Sequence, residues 1–180
     1  TETREIIKKI IKPTLTGAQK ENFVFRGVLF LGLMLTTRGA KVLEYNVRFG
    51  DPETQSILIR LETDLTEICE AILEQKLDKI SLKWKKASAA CIILAAANYP
   101  TKPRTGDVIK GLDEVKSEKE TFVFHSGTAK NSKGEFVTAG GRVLGVTAGG
   151  KDLKQALNRA YNAVENISFD GMQYRRDIGK

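Results

Sequence analysis

The sequence predicts an α+β fold, in which antiparallel strands and amphipathic helices alternate along a chain of 180 residues. Two observations support this prediction. Two strand-like runs, residues 23–36 and 41–49, flank the turn Thr37-Arg38-Gly39, which indicates an antiparallel pair. Apolar residues recur at helical spacing in residues 64–77 and 151–167, which adds two amphipathic helices.

Three further elements are predicted in the first half of the chain. Isoleucines at helical spacing predict a short amphipathic helix over residues 4–12, and Pro13 is expected to end it. Residues 53–61 are predicted to open a helix, with Pro52 near its first turn. The apolar run at residues 89–97 is typical of a buried strand.

The second half of the chain differs from the first in its pattern of short apolar runs separated by glycines. Residues 98–106 carry two prolines and a glycine, so a domain boundary is expected there. We therefore divide the chain into residues 1–100, an antiparallel sheet with flanking helices, and residues 101–180, a small mixed β domain closed by the helix at 151–167. Short strands separated by glycines are predicted in this second part, at residues 122–125, 136–137 and 142–147.

Composition favours a phosphorylated small molecule over nucleic acid as the ligand. Lys and Arg total 29 against 22 Asp and Glu, a net charge of +7, which suits anionic ligands. The basic residues are scattered apart from a short cluster around Trp84, so we expect no nucleic-acid partner. The apolar run at residues 87–97 is too short to span a bilayer, so no membrane partner is expected. Cys69 and Cys91 lie in apolar runs, which favours buried free thiols and a reducing, cytoplasmic location.

Three polar residues share one face of the second predicted strand. Glu44, Asn46 and Arg48 lie at i, i+2 and i+4, and a period of two places their side chains together. By spacing alone, the simpler interpretation is the solvated face of an antiparallel sheet. The functional interpretation is a site for a metal and a phosphate, because Glu44 and Asn46 offer the oxygen ligands that magnesium prefers and Arg48 offers a fixed positive charge.

The segment around these residues resembles a known family. The pattern Glu-x-Asn-x-Arg on a strand is similar to the metal-binding strand of the ATP-grasp enzymes. The longer string from Leu43 to Glu53 resembles the phosphoribosylamine–glycine ligases, also called glycinamide ribonucleotide synthetases. Further blocks of the chain match the same family in the family's order: Ala96-Ala97-Asn98-Tyr99-Pro100, Gly106-Asp107-Val108-Ile109, His125-Ser126-Gly127-Thr128, Thr138 to Leu144 and Tyr174 to Gly179.

The resemblance implies an ATP- and magnesium-dependent (or manganese-dependent) carbon–nitrogen ligase of purine biosynthesis. Glycine would be activated as an acyl phosphate and attacked by 5-phosphoribosylamine, giving glycinamide ribonucleotide, ADP and phosphate. Carried over to this sequence, Glu44 and Asn46 are expected to bind the metal. Arg48 is expected to contact the γ-phosphate as the catalytic residue. Met34 has two interpretations, packing within the sheet or, as the resemblance implies, contact with the adenine from the strand beneath it.

Substrate binding is expected from five other residues: Asp51, Glu53, Gly140, Gly141 and Arg142. The backbone amides of the two glycines and the guanidinium suit a sugar phosphate, although a turn with a surface arginine explains the same pattern. Asp51 and Glu53 have two interpretations, contact with glycine or capping of the next helix, and capping is the simpler one. His125, the single histidine, is expected to be structural.

Two departures from the family pattern bear on the fold and the metal site. The strand before Glu44, residues 27–36, contains no carboxylate, so the metal is expected to rely on Glu44 as its one clear carboxylate. The family's usual Gly-Tyr-Pro is Asn98-Tyr99-Pro100 here. Because Asn accepts a positive φ better than most residues, we expect the turn to persist.

The resemblance also implies that the chain is the C-terminal half of such an enzyme. The family's N-terminal domain and its glycine-rich lid have no counterpart in the sequence, so we expect the chain to need the missing half as a partner and to be inactive alone. The alternative function is a non-catalytic module that binds a phosphorylated metabolite.

Overall fold

The computed structural model of the protein describes residues 2–180. They form two compact units. We call residues 2–50 and 63–81 the hairpin unit, and residues 51–62 and 82–180 the sheet unit. The predicted division at residue 100 does not coincide with this one, because the strand Ser88–Ala95 pairs with Arg142–Gly150 in the sheet unit.

The hairpin unit begins with helical structure that continues past the predicted end. Helix α1 (Glu2–Ile6), a π-helical segment (Ile7–Ile11) and helix α2 (Lys12–Lys20) follow without a break. The prediction that Pro13 ends the helix is wrong. Pro13 lies in the first turn of α2, directly after the widened segment, and proline is tolerated in a first turn because no intrahelical N–H is required there.

The predicted antiparallel pair is confirmed. Strands β1 (Phe30–Thr36) and β2 (Gly39–Asn46) pair from Phe30↔Asn46 to Thr36↔Gly39. The Thr36 hydroxyl donates to the Gly39 carbonyl at 2.8 Å and accepts from the Arg38 amide at 3.2 Å. These two side-chain bonds hold the turn closed and fix the register of the hairpin.

Helix α4 (Leu65–Leu73) also belongs to the hairpin unit, after helix α3 (Glu53–Leu58) of the sheet unit. Asp64 caps α4, because its carboxylate accepts from the Thr66 amide at 2.7 Å. A short 3₁₀ turn, Leu77–Lys79, follows. The expectation that Cys69 is buried is wrong: α4 buries Ala71, and Cys69 lies on the exposed side of the helix.

The sheet unit is built on a three-stranded antiparallel sheet in the order β3-β7-β4. These strands are Ser88–Ala95, Arg142–Gly150 and Thr121–His125. A second, two-stranded sheet pairs β5 (Thr128–Lys130) with β6 (Phe136–Thr138). The central strand β7 is buried along its whole length except at Arg142, which makes it the axis of the unit.

Helix α6 (Leu153–Asn166) covers one face of the three-stranded sheet, and α3 contacts the same strands β3 and β7. The short helix α5 (Leu112–Val115) packs beside β4 and α6. Small residues on α6, such as Ala160 and Ala163, are fully buried against Val146 and Leu144 of β7. Burial of this apolar surface is the main stabilising contribution to the unit. Among residues 2–180, we find no helix with both the length and the apolar character required to cross a bilayer.

Candidate functional site

Strand β2 brings Glu44 and Asn46 together on one face of the hairpin. Asn46 Nδ2 donates a hydrogen bond to Glu44 Oε1 at 3.0 Å, as expected for side chains two residues apart on a strand. Glu44 is exposed and Asn46 is half-buried. The shared face that was predicted for these two residues is therefore present.

Arg48 departs from the predicted geometry because β2 ends at Asn46. Its side chain is exposed, and its Nη1 donates to the carbonyl of the adjacent Phe49 at 2.9 Å. The strand period therefore does not determine its direction. A guanidinium has five N–H donors, so donors beyond the one to Phe49 are available to a phosphate, and the contact of Arg48 with the γ-phosphate stays a prediction.

Gly32, which sequence analysis did not single out, makes room for Glu44. It is the partner of Glu44 across the hairpin, and a Cβ built on Gly32 would lie 2.9 Å from Glu44 Cγ. Only glycine lets the Glu44 side chain lie over β1 without displacement. A glycine inside a strand indicates such a close approach, and that signal was present in the sequence. Met34, two residues further along β1, is 52% exposed, and its contact with adenine stays a prediction.

The donor set of Glu44 and Asn46 fits a magnesium ion shared with substrate phosphates. The Asn46–Glu44 hydrogen bond uses Nδ2 and one lone-pair position of Oε1, and it leaves the other carboxylate oxygen and the amide oxygen fully available as hard ligands. Within residues 2–180, no group of three or more His, Cys, Asp or Glu is placed to hold a metal. A set of two protein oxygens is the type that leaves the remaining positions to phosphates and water.

In the sheet unit, Asp51 and Arg142 form a second group of predicted site residues. Arg142 Nη1 donates to the Asp51 carbonyl at 2.7 Å, and its Nη2 lies 3.4 Å from Asp51 Oδ2. Gln55 Nε2 donates to the other carboxylate oxygen, Oδ1, at 3.0 Å. The structure thus brings together two residues that are 91 positions apart, which no local sequence pattern indicates.

The predicted capping role of Asp51 and Glu53 is wrong. The N-cap position of α3 is Pro52, without a side-chain cap, and Glu53 is the first helical residue. Asp51 instead accepts a hydrogen bond from the Gln55 side chain.

Burial raises the pKa of the Cys91 thiol, and the neighbouring Thr147 partly opposes that shift. The negative charges of Asp51 and Glu53 raise the pKa of this thiol further.

The glycines before Arg142 are required by close packing. A Cβ on Gly141 would lie 2.5 Å from the Tyr99 ring, and a Cβ on Gly140 would lie 3.1 Å from Gly127 Cα. These approaches hold the start of β7 against the preceding turn. They explain the glycines by packing, and phosphate binding by Gly140 and Gly141 stays a prediction. The expected turn at Asn98 is confirmed, because this residue has a φ of 64°.

A family model described as "Phosphoribosylglycinamide synthetase, C domain" matches residues 89–180, just over half of the chain. The chain belongs to the phosphoribosylglycinamide synthetase family. A second model, "Phosphoribosylglycinamide synthetase, ATP-grasp (A) domain", matches residues 1–54. The resemblance found in the sequence is therefore confirmed, and residues 44–50 lie inside the ATP-grasp match.

Curated relatives of the chain carry the name phosphoribosylamine–glycine ligase. The chain is 51% identical to the one from Caldanaerobacter subterraneus subsp. tengcongensis, over 97% of the chain and 41% of the relative. It is 48% identical to one from Neisseria meningitidis serogroup A, over 96% of the chain and 40% of the relative. The chain therefore spans about two fifths of the length of these relatives.

Solved structures agree on the fold. The crystal structure of phosphoribosylamine–glycine ligase from Thermotoga maritima matches with a TM-score of 0.76 and 34% identity, over 98% of this chain and 43% of that one. N5-carboxyaminoimidazole ribonucleotide synthetase from the same organism matches with a TM-score of 0.56 and 16% identity, over 89% of this chain and 42% of that one. This second likeness concerns the fold alone. The predicted α+β fold with antiparallel sheets is confirmed.

Proposed function

We propose that the chain takes part in the ATP-dependent ligation of glycine to 5-phosphoribosylamine, giving glycinamide ribonucleotide, ADP and phosphate. The proposal covers the chain together with the sequence that corresponds to the rest of its relatives' length. The observation that carries it is the Glu44–Asn46 pair on β2, held by a 3.0 Å hydrogen bond inside the segment that matches the ATP-grasp domain. The name shared by relatives at about 50% identity supports the substrates.

Glu44 and Asn46 are proposed to hold magnesium, or manganese in its place. Their hydrogen bond fixes one side chain against the other, so that the free oxygens face a ligand without further ordering. When bound, the metal would neutralise charge on the nucleotide phosphates. Gly32 is proposed to support metal binding indirectly, because a side chain at this position would displace the Glu44 side chain.

Arg48 and Met34 are proposed to act on the nucleotide. The Arg48 guanidinium is an exposed and permanently charged group, suited to stabilising the phosphoryl group as it moves from ATP to glycine. Met34 is proposed to contact the adenine ring, because its exposed thioether is a flexible apolar surface. ATP is accordingly a substrate of the proposed reaction.

Asp51, Glu53, Gly140, Gly141 and Arg142 are proposed to bind the two other substrates. In the proposed chemistry a glycine carboxylate oxygen attacks the γ-phosphorus and ADP leaves, which gives glycyl phosphate. The amine of phosphoribosylamine then attacks the carbonyl carbon, loses a proton and expels phosphate. Asp51 can accept hydrogen bonds from an amine, and Arg142 can bind a carboxylate or a phosphate.

A cytoplasmic location belongs to the same proposal. It rests on the free thiols and on the metabolic role proposed here. One relative, from Arabidopsis thaliana, is named as chloroplastic, so location differs within the family.

Replacement of Glu44 tests the metal site. In the complete ligase polypeptide that contains this chain, Glu44→Gln removes the carboxylate while keeping the side-chain size. We expect kcat/KM for ligation to fall at least about tenfold, equivalent to about 1.4 kcal/mol, and the magnesium concentration for half-maximal rate to rise. Steady-state ADP release at several magnesium concentrations provides both values.

Glu70→Gln is the matched control, since Glu70 is an exposed carboxylate on α4. This variant should ligate like the unmodified enzyme. Unchanged kcat/KM and unchanged magnesium dependence in Glu44→Gln would contradict the proposed metal site.

A further inference from the structure

We infer that Gln55 is a positioning residue, which fixes the direction of the Asp51 carboxylate toward an amine-bearing substrate. The inference rests on the proposed function and adds a residue to it. Gln55 is the third residue of α3, and sequence analysis gave it no role. Within residues 2–180, its side chain donates a hydrogen bond to Asp51.

The carboxylate of Asp51 is held at both oxygens by two different elements. Gln55 Nε2 from α3 donates to Oδ1 at 3.0 Å, and Arg142 Nη2 from β7 lies 3.4 Å from Oδ2. Arg142 Nη1 also fixes the Asp51 backbone carbonyl at 2.7 Å. Rotation of the carboxylate would break at least one of these contacts, so its orientation is set before any ligand arrives.

Asp51 can still accept a ligand in this arrangement. Its side chain is 42% exposed, and each carboxylate oxygen has two lone-pair positions, one of which Gln55 or Arg142 occupies. The remaining positions suit a donor with several N–H groups. Glycine and 5-phosphoribosylamine both carry an aliphatic amine, so the shared chemistry is amine recognition by a carboxylate.

The position of the Gln55 side chain lowers the stability of the fold, and a residue with only a packing role would not require this. The other atom of its amide, Oε1, is buried without a hydrogen-bond partner in the described part of the chain. An unsatisfied buried polar atom lowers stability, and an apolar residue of similar size would avoid this. A buried polar atom without a partner calls for an explanation, and the hydrogen bond that Nε2 donates to Asp51 provides one for the amide of Gln55.

Two variants separate positioning from packing. Gln55→Met keeps the length of the side chain and removes the donor, so the Asp51 carboxylate loses one of its two side-chain contacts. We expect KM for glycine or for 5-phosphoribosylamine to rise about tenfold, with kcat changed less than about threefold. KM is measured for each substrate separately in the complete ligase, and the substrate whose KM rises is the one that Asp51 receives.

Gln55→Glu adds a pH readout that a packing role would not produce. The introduced carboxyl would face Asp51 Oδ1 at hydrogen-bond distance, with Glu53, Cys91 and Arg142 as the other titratable or charged groups nearby. Two adjacent carboxylates share a proton at low pH, which restores the hydrogen bond, and repel each other at higher pH. We expect the ratio of variant to unmodified KM to rise with pH.

Gln155→Met is the matched control. Gln155 is also half-buried, and its side chain also makes one hydrogen bond, to the Lys151 amide at 2.9 Å. It should lose stability without any change in KM. Unchanged KM for both substrates in Gln55→Met, or a KM ratio independent of pH in Gln55→Glu, would overturn the inference.

A double-mutant cycle keeps this test separate from the test of the ligase activity. The free energy of unfolding is measured for Gln55→Met, Asp51→Ala and the double variant of this chain. If the contact exists, the two changes are not additive. If the unmodified enzyme did not ligate, the proposed function would fail while this cycle still measured the contact, and strict additivity would overturn the positioning role by itself.

Discussion

Glu44 and Asn46 are two residues apart on a strand, and the period of the strand is enough to place their side chains together. The hydrogen bond between them then decides which of their oxygens are available. Arg48 has the same spacing in the sequence but lies beyond the last residue of β2. The strand period is therefore informative for the first two residues and uninformative for the third.

His125 provides a pH test at the scale of one residue. Burial, and then the charge of Lys116, lower the pKa of His125 below its ordinary value of about 6.5. Below that ordinary value the unfolded chain binds the proton more readily than the folded one, so acid favours unfolding. We expect the free energy of unfolding to fall as the pH decreases through the ordinary pKa of histidine. Below the pKa of His125 in the folded chain, this histidine should cause no further decrease.

The measurement is urea unfolding of the unmodified chain and of His125→Asn between pH 7.5 and pH 5. The difference in the free energy of unfolding between the two chains should change by less than about 1 kcal/mol over this pH range, because the exposed ring is screened by solvent. The Lys116→Gln variant should keep most of this pH dependence of stability, since burial lowers the pKa of His125 more than the charge of Lys116 does. Equal pH slopes with and without His125 would contradict the assignment. No other histidine contributes in this range.

Residue-level prediction succeeded where local geometry decides and failed where distant contacts decide. The positive φ of Asn98 followed from the identity of the residue. Gln55 was missed because its role depends on Asp51 being fixed from the other side by Arg142, and that contact exists only after β7 has been assembled into the sheet. The exposure of Cys69 was missed because an apolar run does not tell which side of a helix is covered.

At the scale of elements, the backbone of the turn between β4 and β5 packs directly against the backbone that leads into β7. Gly127→Ala would place a Cβ 2.7 Å from Gly140 Cα and from the Arg142 carbonyl oxygen. Backbone atoms cannot move aside as a flexible side chain can. We expect a loss of about 1–3 kcal/mol in the free energy of unfolding, typical of overpacking.

Gly17→Ala is the control for this substitution. Nothing lies within 4 Å of a Cβ at Gly17, which is inside α2, so alanine there should be neutral or stabilising by up to about 1 kcal/mol. Urea unfolding of both variants gives the comparison. A Gly127→Ala chain as stable as the unmodified one would contradict the close approach.

Element boundaries show the same limit as residue roles. The pairing of β1 with β2 was predictable, because the turn Thr37-Arg38-Gly39 separates two strand-like runs. The continuation of helix through Pro13 was not, because it depends on the π-helical segment that precedes α2. A proline in the first turn of a new helix and a proline that ends an old one have the same local sequence.

At the scale of the whole molecule, the division into units is set by strand pairing across long stretches of chain. β3 was predicted as a buried strand, and β7 was predicted as a short one. Their partnership, with β7 between β3 and β4, joins residues on both sides of the expected boundary at residue 100. Composition alone predicted a domain boundary at residues 98–106, whereas strands β3 and β7, which lie on either side of that segment in the sequence, pair with each other.

We propose that this chain, together with the rest of its relatives' length, ligates glycine to 5-phosphoribosylamine and uses ATP through Glu44 and Asn46. The most direct measurement is product analysis of the complete polypeptide with ATP, magnesium, glycine and 5-phosphoribosylamine. We expect one ADP and one phosphate for each amide formed, no amide when either glycine or the amine is left out, and no reaction without a divalent metal. Release of ADP without amide formation, or ligation that continues after removal of the metal, would contradict the claim.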